Sequence, residues 1–321
     1  MADAQEKIFA WGNSRRFNAY SDYLRSRYGF RLQKLSVNAG FSCPNRDGNK
    51  STGGCVFCNN NAFNPSYCQP HIGIRKQLEE GKAFHAWRYR HSPRYIAYFQ
   101  AYSNTYAPLE VLKERYEEAL GVPDVAGLSI GTRPDCIDEA ILDYLAELSK
   151  TKHIHLEMGI ESCYDKTLRW MNRGHDFATA ERAFEQAAKR GIFTGTHLIV
   201  GLPGLSREEE LAQAGILSRL PVDTLKLHQL QIIKGTALEK QYAEQPQRFS
   251  FFTVDSYVDF VVDFLERLSP RIHMERFAGE APERFQAGPV FGKLRSDRIL
   301  QLVEQRLLER NTWQGRLFSQ A

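Results

Sequence analysis

The chain has 321 residues, 42 Lys and Arg against 38 Asp and Glu (net charge +4), and a composition that is 42% hydrophobic and 25% charged. This excludes intrinsic disorder, because the apolar content suffices to offset the entropy of ordering, and 23 Gly and 13 Pro without a period exclude collagen-like and low-complexity classes. Six cysteines are too few for a disulfide scaffold, residues 1–13 lack a signal-like apolar run, and nothing approaches the roughly 20 apolar residues that span a bilayer, so a cytoplasmic protein with reduced thiols and no membrane partner is expected.

In chain order, residues 1–29 read as an N-terminal helical extension. Short β-like runs then alternate with longer helical patterns. Strands are expected at 31–37, 95–99, 127–130, 153–158, 193–200 and 223–228, with helices at 72–87, 109–120, 138–149, 177–190 and 207–220. Asp138 suits a helix N-cap, and Gly191 suits the residue just past a helix end. Six such units make an α/β fold, an incomplete (β/α)6 TIM-like barrel over residues 30–245 with a loop at 38–68. Residues 246–321 read as an accessory α/β extension: a helix at 251–268, a short strand at 271–276 and a last helix at 296–309.

Chemistry in such barrels sits at the C-terminal strand ends. Polar residues collect there: Gln100 to Thr105 after the second strand, Thr132 to Cys136 after the third, Glu157 and Glu161 on the fourth, a Gly-Leu-Pro-Gly turn after the fifth, and Lys226, His228 and Gln229 on the sixth. Any one of these could be an ordinary turn; all of them together point to a site.

Four of the six cysteines fall between residues 43 and 68. The spacing Cys43-x11-Cys55-x2-Cys58, with glycines at 53 and 54, lets soft thiolates converge on one centre. Three ligands on a four-iron cluster leave one iron open. Structural zinc completed by Cys68 or His71, and a redox Cys-x-x-Cys pair, are the competing readings. Placement at a strand end favours the open cluster. Two basic groups, one from Arg15 to Lys34 and one formed by Arg88, Arg90 and Arg94 with Trp87, Tyr89 and Tyr95, suit phosphate contact and base stacking, or are simply solvated surface.

The segments CPNRDG (43–48), GGCVFC (53–58), YFQAYSNTYAP (98–108), GLSIGTRPDC (127–136), LEMGIES (156–162), NRGHD (172–176), HLIVGLPG (197–204) and LKLH…IKGT (225–236) together resemble the radical S-adenosylmethionine (radical SAM) enzymes. The likeness is strongest to the YhcC/YtqA-like family related to the Elongator catalytic subunit. The first cysteine spacing departs from the superfamily's usual Cys-x3-Cys-x2-Cys, a departure shared with Elongator-like enzymes, and Glu161 stands where many relatives carry Gln.

The resemblance implies that Cys43, Cys55 and Cys58 hold a [4Fe–4S] cluster. Its open iron chelates S-adenosylmethionine, whose reductive cleavage yields a 5′-deoxyadenosyl radical. It further implies that Arg173 pairs with the methionyl carboxylate, that Glu157 accepts hydrogen bonds from the ribose or amino group, and that Ser129, Thr132 and Gln100 lie near the cofactor. His197, His228 and Lys226 are candidates for the substrate cavity, or satisfied core residues. Cys136 is a candidate hydrogen donor or thiyl relay, or a small packed side chain. By kinship the expected substrate is a tRNA wobble uridine whose side chain is remodelled, since these 321 residues leave no room for an acetyltransferase domain, and the expected reductant is flavodoxin or ferredoxin. Alternatives are radical chemistry on a small molecule or a protein, and a zinc-stabilised nucleic-acid-binding module without catalysis.

Overall fold

The computed structural model describes residues 7–86, 92–289, 291 and 294–319. Seven parallel strands pair in sequence order: β1 (Leu32–Val37), β2 (Arg94–Phe99), β3 (Val125–Thr132), β4 (His153–Glu161), β5 (Phe193–Val200), β6 (Thr224–Gln229) and β7 (His273–Arg276). A parallel pair cannot be joined by a tight turn, so each connection is a crossover that carries a helix. The helices are α1 (Tyr20–Tyr28) before β1, then α2 (Ile74–His85), α3 (Leu109–Leu120), α4 (Glu139–Ser149), α5 (Asp165–Trp170), α6 (Phe177–Lys189), α7 (Arg207–Arg219), α8 (Ala237–Glu244), α9 (Val254–Arg267) and, after β7, α10 (Ser296–Glu309). The sheet curls into a half-barrel.

The core lies between the strands and these helices, where Leu35, Phe99, Ile130, Leu156 and Leu198 meet Leu112, Tyr116, Phe184 and Phe260. β4 runs through the middle and is buried at all nine positions, as expected for a strand covered on both faces. Local chemistry sets the helix ends. The Asp138 side chain accepts from the Ile141 amide, Ser206 and Glu209 form a reciprocal capping box on α7, and Gly191 at φ 67° follows the end of α6.

The incomplete barrel stands as expected, with one enlargement. The strand expected in the C-terminal extension joins the main sheet as β7, parallel to β6. Its outer edge is covered in turn by the N-terminal segment, where Ala19 bridges Met274 and the Met274 amide donates to the Asn18 carbonyl. Helices α5 and α8 carry no strong periodic pattern and were not anticipated. Among the described residues, no helix is long and apolar enough to cross a membrane.

Candidate functional site

The cysteine loop leaves β1 and is tied down by backbone. The Cys43 carbonyl accepts from the amides of Arg46 and Asp47, and the Cys55 carbonyl from the Cys58 amide. Gly53 and Gly54 are both in the left-handed region (φ 78° and 81°), which is why two glycines precede Cys55. The loop is laced to the turn after α5: the Val56 amide donates to the Met171 carbonyl at 3.0 Å, and Asn172 Nδ2 donates to the Gly54 carbonyl at 2.9 Å. The CPNRDG, GGCVFC and NRGHD segments therefore form one unit.

Cys43, Cys55 and Cys58 line a cavity of about 230 Å³ at the C-terminal end of the half-barrel, with Gln100, Thr132, Glu157, Arg173, His197 and His228. Contributions come from all seven strands or the turns that follow them, Arg276 of β7 included. Donors surround the thiols. Arg173 Nη1 lies 3.5 Å and Asn45 Nδ2 3.6 Å from Cys55 Sγ, and Asn60 Nδ2 lies 3.9 Å from Cys58 Sγ. Burial, reinforced by the neighbouring Cys55, pushes the Cys58 thiol up to about 11.

Arg173 is buried and does not present an open fork. Its Nη2 donates to the Gly159 carbonyl and lies 3.5 Å from Glu161, while Nε has no partner. Burial opposes its charge, but the Cys55 sulfur and the Glu161 carboxylate keep the guanidinium firmly protonated. Glu161 itself sits at φ 67° on a register shift of β4, which turns its carboxylate toward the cavity. A Cβ at Gly159 would come within 2.5 Å of the Glu161 carboxylate and 3.2 Å of the Arg173 guanidinium, so a larger residue there would displace their charged ends.

Glu157 is the hub of a buried charge network. One oxygen accepts from Lys34 Nζ and Ser129 Oγ, each at 2.5 Å; the other accepts from Lys226 Nζ at 2.5 Å, with His197 Nε2 at 3.3 Å. Lys34 and Lys226 also reach Glu275, at 2.6 and 3.2 Å, and Lys226 lies 3.3 Å from the Tyr98 hydroxyl. Two lysines thus face two carboxylates. Burial opposes ionisation, but Lys226 and Lys34 together hold Glu157 well below the usual range and Glu275 at about 2. Burial holds His155, which packs on this network, well below its ordinary value.

Three other candidates lie outside the cavity lining. Lys226 and Ser129 sit beneath the cavity wall within this network, and Cys136 does not line the cavity either; its thiol faces Asp135, and burial pushes it up to about 12. Thr132 Oγ1 pairs with Thr105 Oγ1 at 2.5 Å, Gln100 accepts from Ser36 at 3.1 Å, and His197 stacks on His228 at 5.3 Å. Cys68 donates to the Ser36 carbonyl at 2.9 Å, away from the other three thiols' cavity, and His71 is exposed.

The first basic group is split: Arg25, Arg27 and Arg31 are exposed, whereas the other three are engaged. Arg15 pairs with Asp22 and Glu304, Arg16 donates to the Thr312 carbonyl, and Lys34 belongs to the buried network. Of the second group, Trp87, Arg88, Tyr89 and Arg90 lie outside the described residues. Sequence reasoning missed Lys34 and Glu275 as site residues. Their signal was opposite charges standing inside two strands.

The fold and the cysteine cavity define a class, and the family comparison shows it: residues 45–214 match the Radical SAM superfamily and residues 222–309 the Radical_SAM C-terminal domain, so the chain belongs to the radical SAM superfamily. Within it, the chain is 34% identical to YtqA of Bacillus subtilis over 98% of this chain and 97% of that protein. It is 38% identical to YhcC of Escherichia coli K12 over 82% and 84% respectively. A tRNA uridine(34) acetyltransferase of Dehalococcoides mccartyi is 26% identical over 59% of this chain and 42% of its own length. The solved archaeal Elp3 of Methanocaldococcus infernus shares the fold, with a TM-score of 0.65 at 16% identity, over 88% of this chain and 64% of that one.

The protein is therefore a radical SAM enzyme, whose cofactors are a [4Fe–4S] cluster and S-adenosylmethionine. The residues around the cavity fit both. A single tetrahedral zinc would bring its sulfurs to about 3.8 Å of one another at ordinary Zn–S lengths. Among the described residues, the one set of three His, Cys, Asp or Glu ligand atoms lying within 4.8 Å of one another is His155, Glu157 and Glu275, not the cysteines. Thiols spread further apart suit a body larger than one ion, and the unpartnered Nε of Arg173 leaves a charged donor for an anionic group.

Proposed function

We propose that this enzyme remodels the side chain of a tRNA wobble uridine, for example by trimming a carboxymethylaminomethyl group, and that it works in the cytoplasm with a flavodoxin- or ferredoxin-type electron donor. The observation that carries this reading is the similarity to a tRNA uridine(34) acetyltransferase over 59% of this chain. Six free thiols and the lack of a membrane-spanning helix among the described residues support the location.

Cys43, Cys55 and Cys58 are the proposed cluster ligands. The chemistry supplied by cluster and S-adenosylmethionine when bound is reductive cleavage of a sulfonium bond to give a hydrogen-abstracting radical. The protein's part is placement and shielding. Arg173 couples the Cys55 sulfur to β4 and offers Nε to the methionyl carboxylate. Glu157, fixed by Lys34, Lys226 and Ser129, holds the floor of the cavity, with Gln100 and Thr132 on its rim near the adenosine. His197 and His228 face the substrate side.

Two measurements test the reading. Anaerobically purified protein is expected to carry iron and sulfide and to release 5′-deoxyadenosine when reduced with S-adenosylmethionine. Mass spectrometry of tRNA nucleosides from a deletion strain is expected to show an accumulated wobble-uridine precursor. An unchanged nucleoside profile sinks the tRNA assignment and leaves a small molecule or a protein as substrate.

A further inference from the structure

A second and larger cavity, about 570 Å³, opens beside the first. The two share Phe63, Gln229, Leu230, Gln231, Gly279 and Glu280, so they are continuous. One wall is built by described residues of the C-terminal region, chiefly Ala278 to Glu283 and Leu294 to Ser296, and the other is the end of the cysteine loop with the segment before α9. We propose that this cleft is the substrate-base pocket: it receives a flipped-out pyrimidine, stacked on Phe63 and selected by Gln231 for a ring nitrogen that carries hydrogen, as in uracil. The proposal rests on the tRNA reading above.

Three observations carry it. The cleft is aromatic, with Phe84, Phe251, Phe252 and Phe291 besides Phe63, and Phe63 and Phe84 are 36% and 52% exposed. Open aromatic rings beside a reaction cavity suit a flat base taken out of its stack. The cleft's charges, Glu280 and Glu283 against Arg295, carry no surplus of positive charge. That is wrong for the phosphate backbone and suited to a neutral ring.

The third observation gives the selectivity. At the junction, Gln229 spends both ends of its amide on Gly279, donating to the carbonyl at 3.1 Å and accepting from the amide at 3.0 Å. Gln231 Nε2 donates to the same carbonyl at 2.7 Å, which fixes the amide orientation, and its Oε1 is buried with no hydrogen-bond partner. An unpaired acceptor there is satisfied by a ring N–H. It rejects cytosine, whose corresponding nitrogen is itself an acceptor.

The test uses the reconstituted enzyme and an anticodon stem-loop RNA with either a carboxymethylaminomethyl-substituted uridine or cytidine at the wobble position, followed by fluorescence anisotropy. Wild type is expected to prefer uridine. Phe63→Ala is expected to weaken uridine binding by about tenfold, with Phe63→Tyr restoring it. Gln231→Leu is expected to reduce the uridine-over-cytidine preference by about tenfold. Thermal melting checks that each variant folds. If wild type binds the stem-loop but the folded Phe63→Ala and Gln231→Leu variants bind and discriminate as it does, the cleft assignment is overturned while the tRNA reading stands. If wild type binds neither RNA, both fall.

Discussion

At the scale of single residues, Cys55 and Glu157 separate two kinds of role. Cys55 receives hydrogen-bond donors from Arg173 and Asn45, and removing its sulfur takes away a proposed ligand and the partner of a buried guanidinium. Cys55→Ala is expected to lose the broad Fe–S absorbance near roughly 400 nm and all 5′-deoxyadenosine release, read by iron and sulfide assay and chromatography. Glu157 lies on the cavity floor, yet its oxygens are spent on two lysines and a serine. Glu157→Gln leaves Lys34 and Lys226 facing Glu275 alone. Breaking a buried pair from one side costs about 3 kcal/mol, so urea unfolding should show a loss of that order. A variant with unchanged stability and weakened S-adenosylmethionine binding would instead make Glu157 a cofactor contact first.

At the scale of elements, α7 controls the turn after β5. Its Glu210 side chain accepts the amides of Gly201 and Leu202, at 2.5 and 3.2 Å, and so holds the GLPG turn against the helix. Burial pushes this carboxyl up to about 7 from an ordinary 4.5. The unfolded chain therefore gives up the proton first, and this group's contribution to stability falls as pH rises from 4.5 to 7. Glu210→Gln keeps the accepting oxygen and removes the ionisation. It is expected to gain about 2 kcal/mol over wild type at pH 8 and little at pH 4, measured by denaturant melts at both pH values. Local sequence made this element legible: a capping serine and three acidic residues open α7, and its length matches the expected helix closely. That one of the three acids turns inward was not legible, because the choice depends on where the turn after β5 passes.

At the scale of the whole molecule, the Lys34–Glu157–Lys226–Glu275 network ties β1, β4, β6 and β7 together across the interior of the half-barrel. Glu157 and Glu275 are held below their ordinary 4.5, Glu275 at about 2. Their stabilisation is complete above that ordinary value and drains away as pH falls toward 2. His153, pushed down to about 4 by burial, adds to the same trend: it stays neutral in the folded protein while the unfolded chain takes up a proton below 6.5. Glu210 works in the opposite direction between 7 and 4.5, but His155, His175 and His228 are lowered by burial as His153 is and together outweigh it, so stability is expected to decline below about 6.5 and to fall more steeply below 4.5. A midpoint series by circular dichroism reads this directly, and Glu275→Gln should flatten the steep part.

The sequence by itself determined the alternation of strands and helices, the incomplete barrel and the cysteine loop. Each of these is written in near neighbours: the 3.6- and 2-residue periodicities, capping residues, and a spacing that depends on one loop. It also placed Gln100, Thr132, Glu157, His197 and His228 at the cavity, because they lie on strands or just after them and parallel strands end on one face, whereas Arg173, in the turn after α5, came from the resemblance. What only the tertiary structure decided is which of them touch each other. Lys34 and Glu275 are 241 residues apart and meet because β1 and β7 approach across the curl. Arg173 spends its fork on Cys55 and Gly159 rather than leaving it open, and Cys136 misses the cavity although it follows a strand that feeds it. Local pattern specifies where an element lies and which side faces inward; the partner of a buried charge is set by sheet register and curvature, which no short stretch of sequence contains.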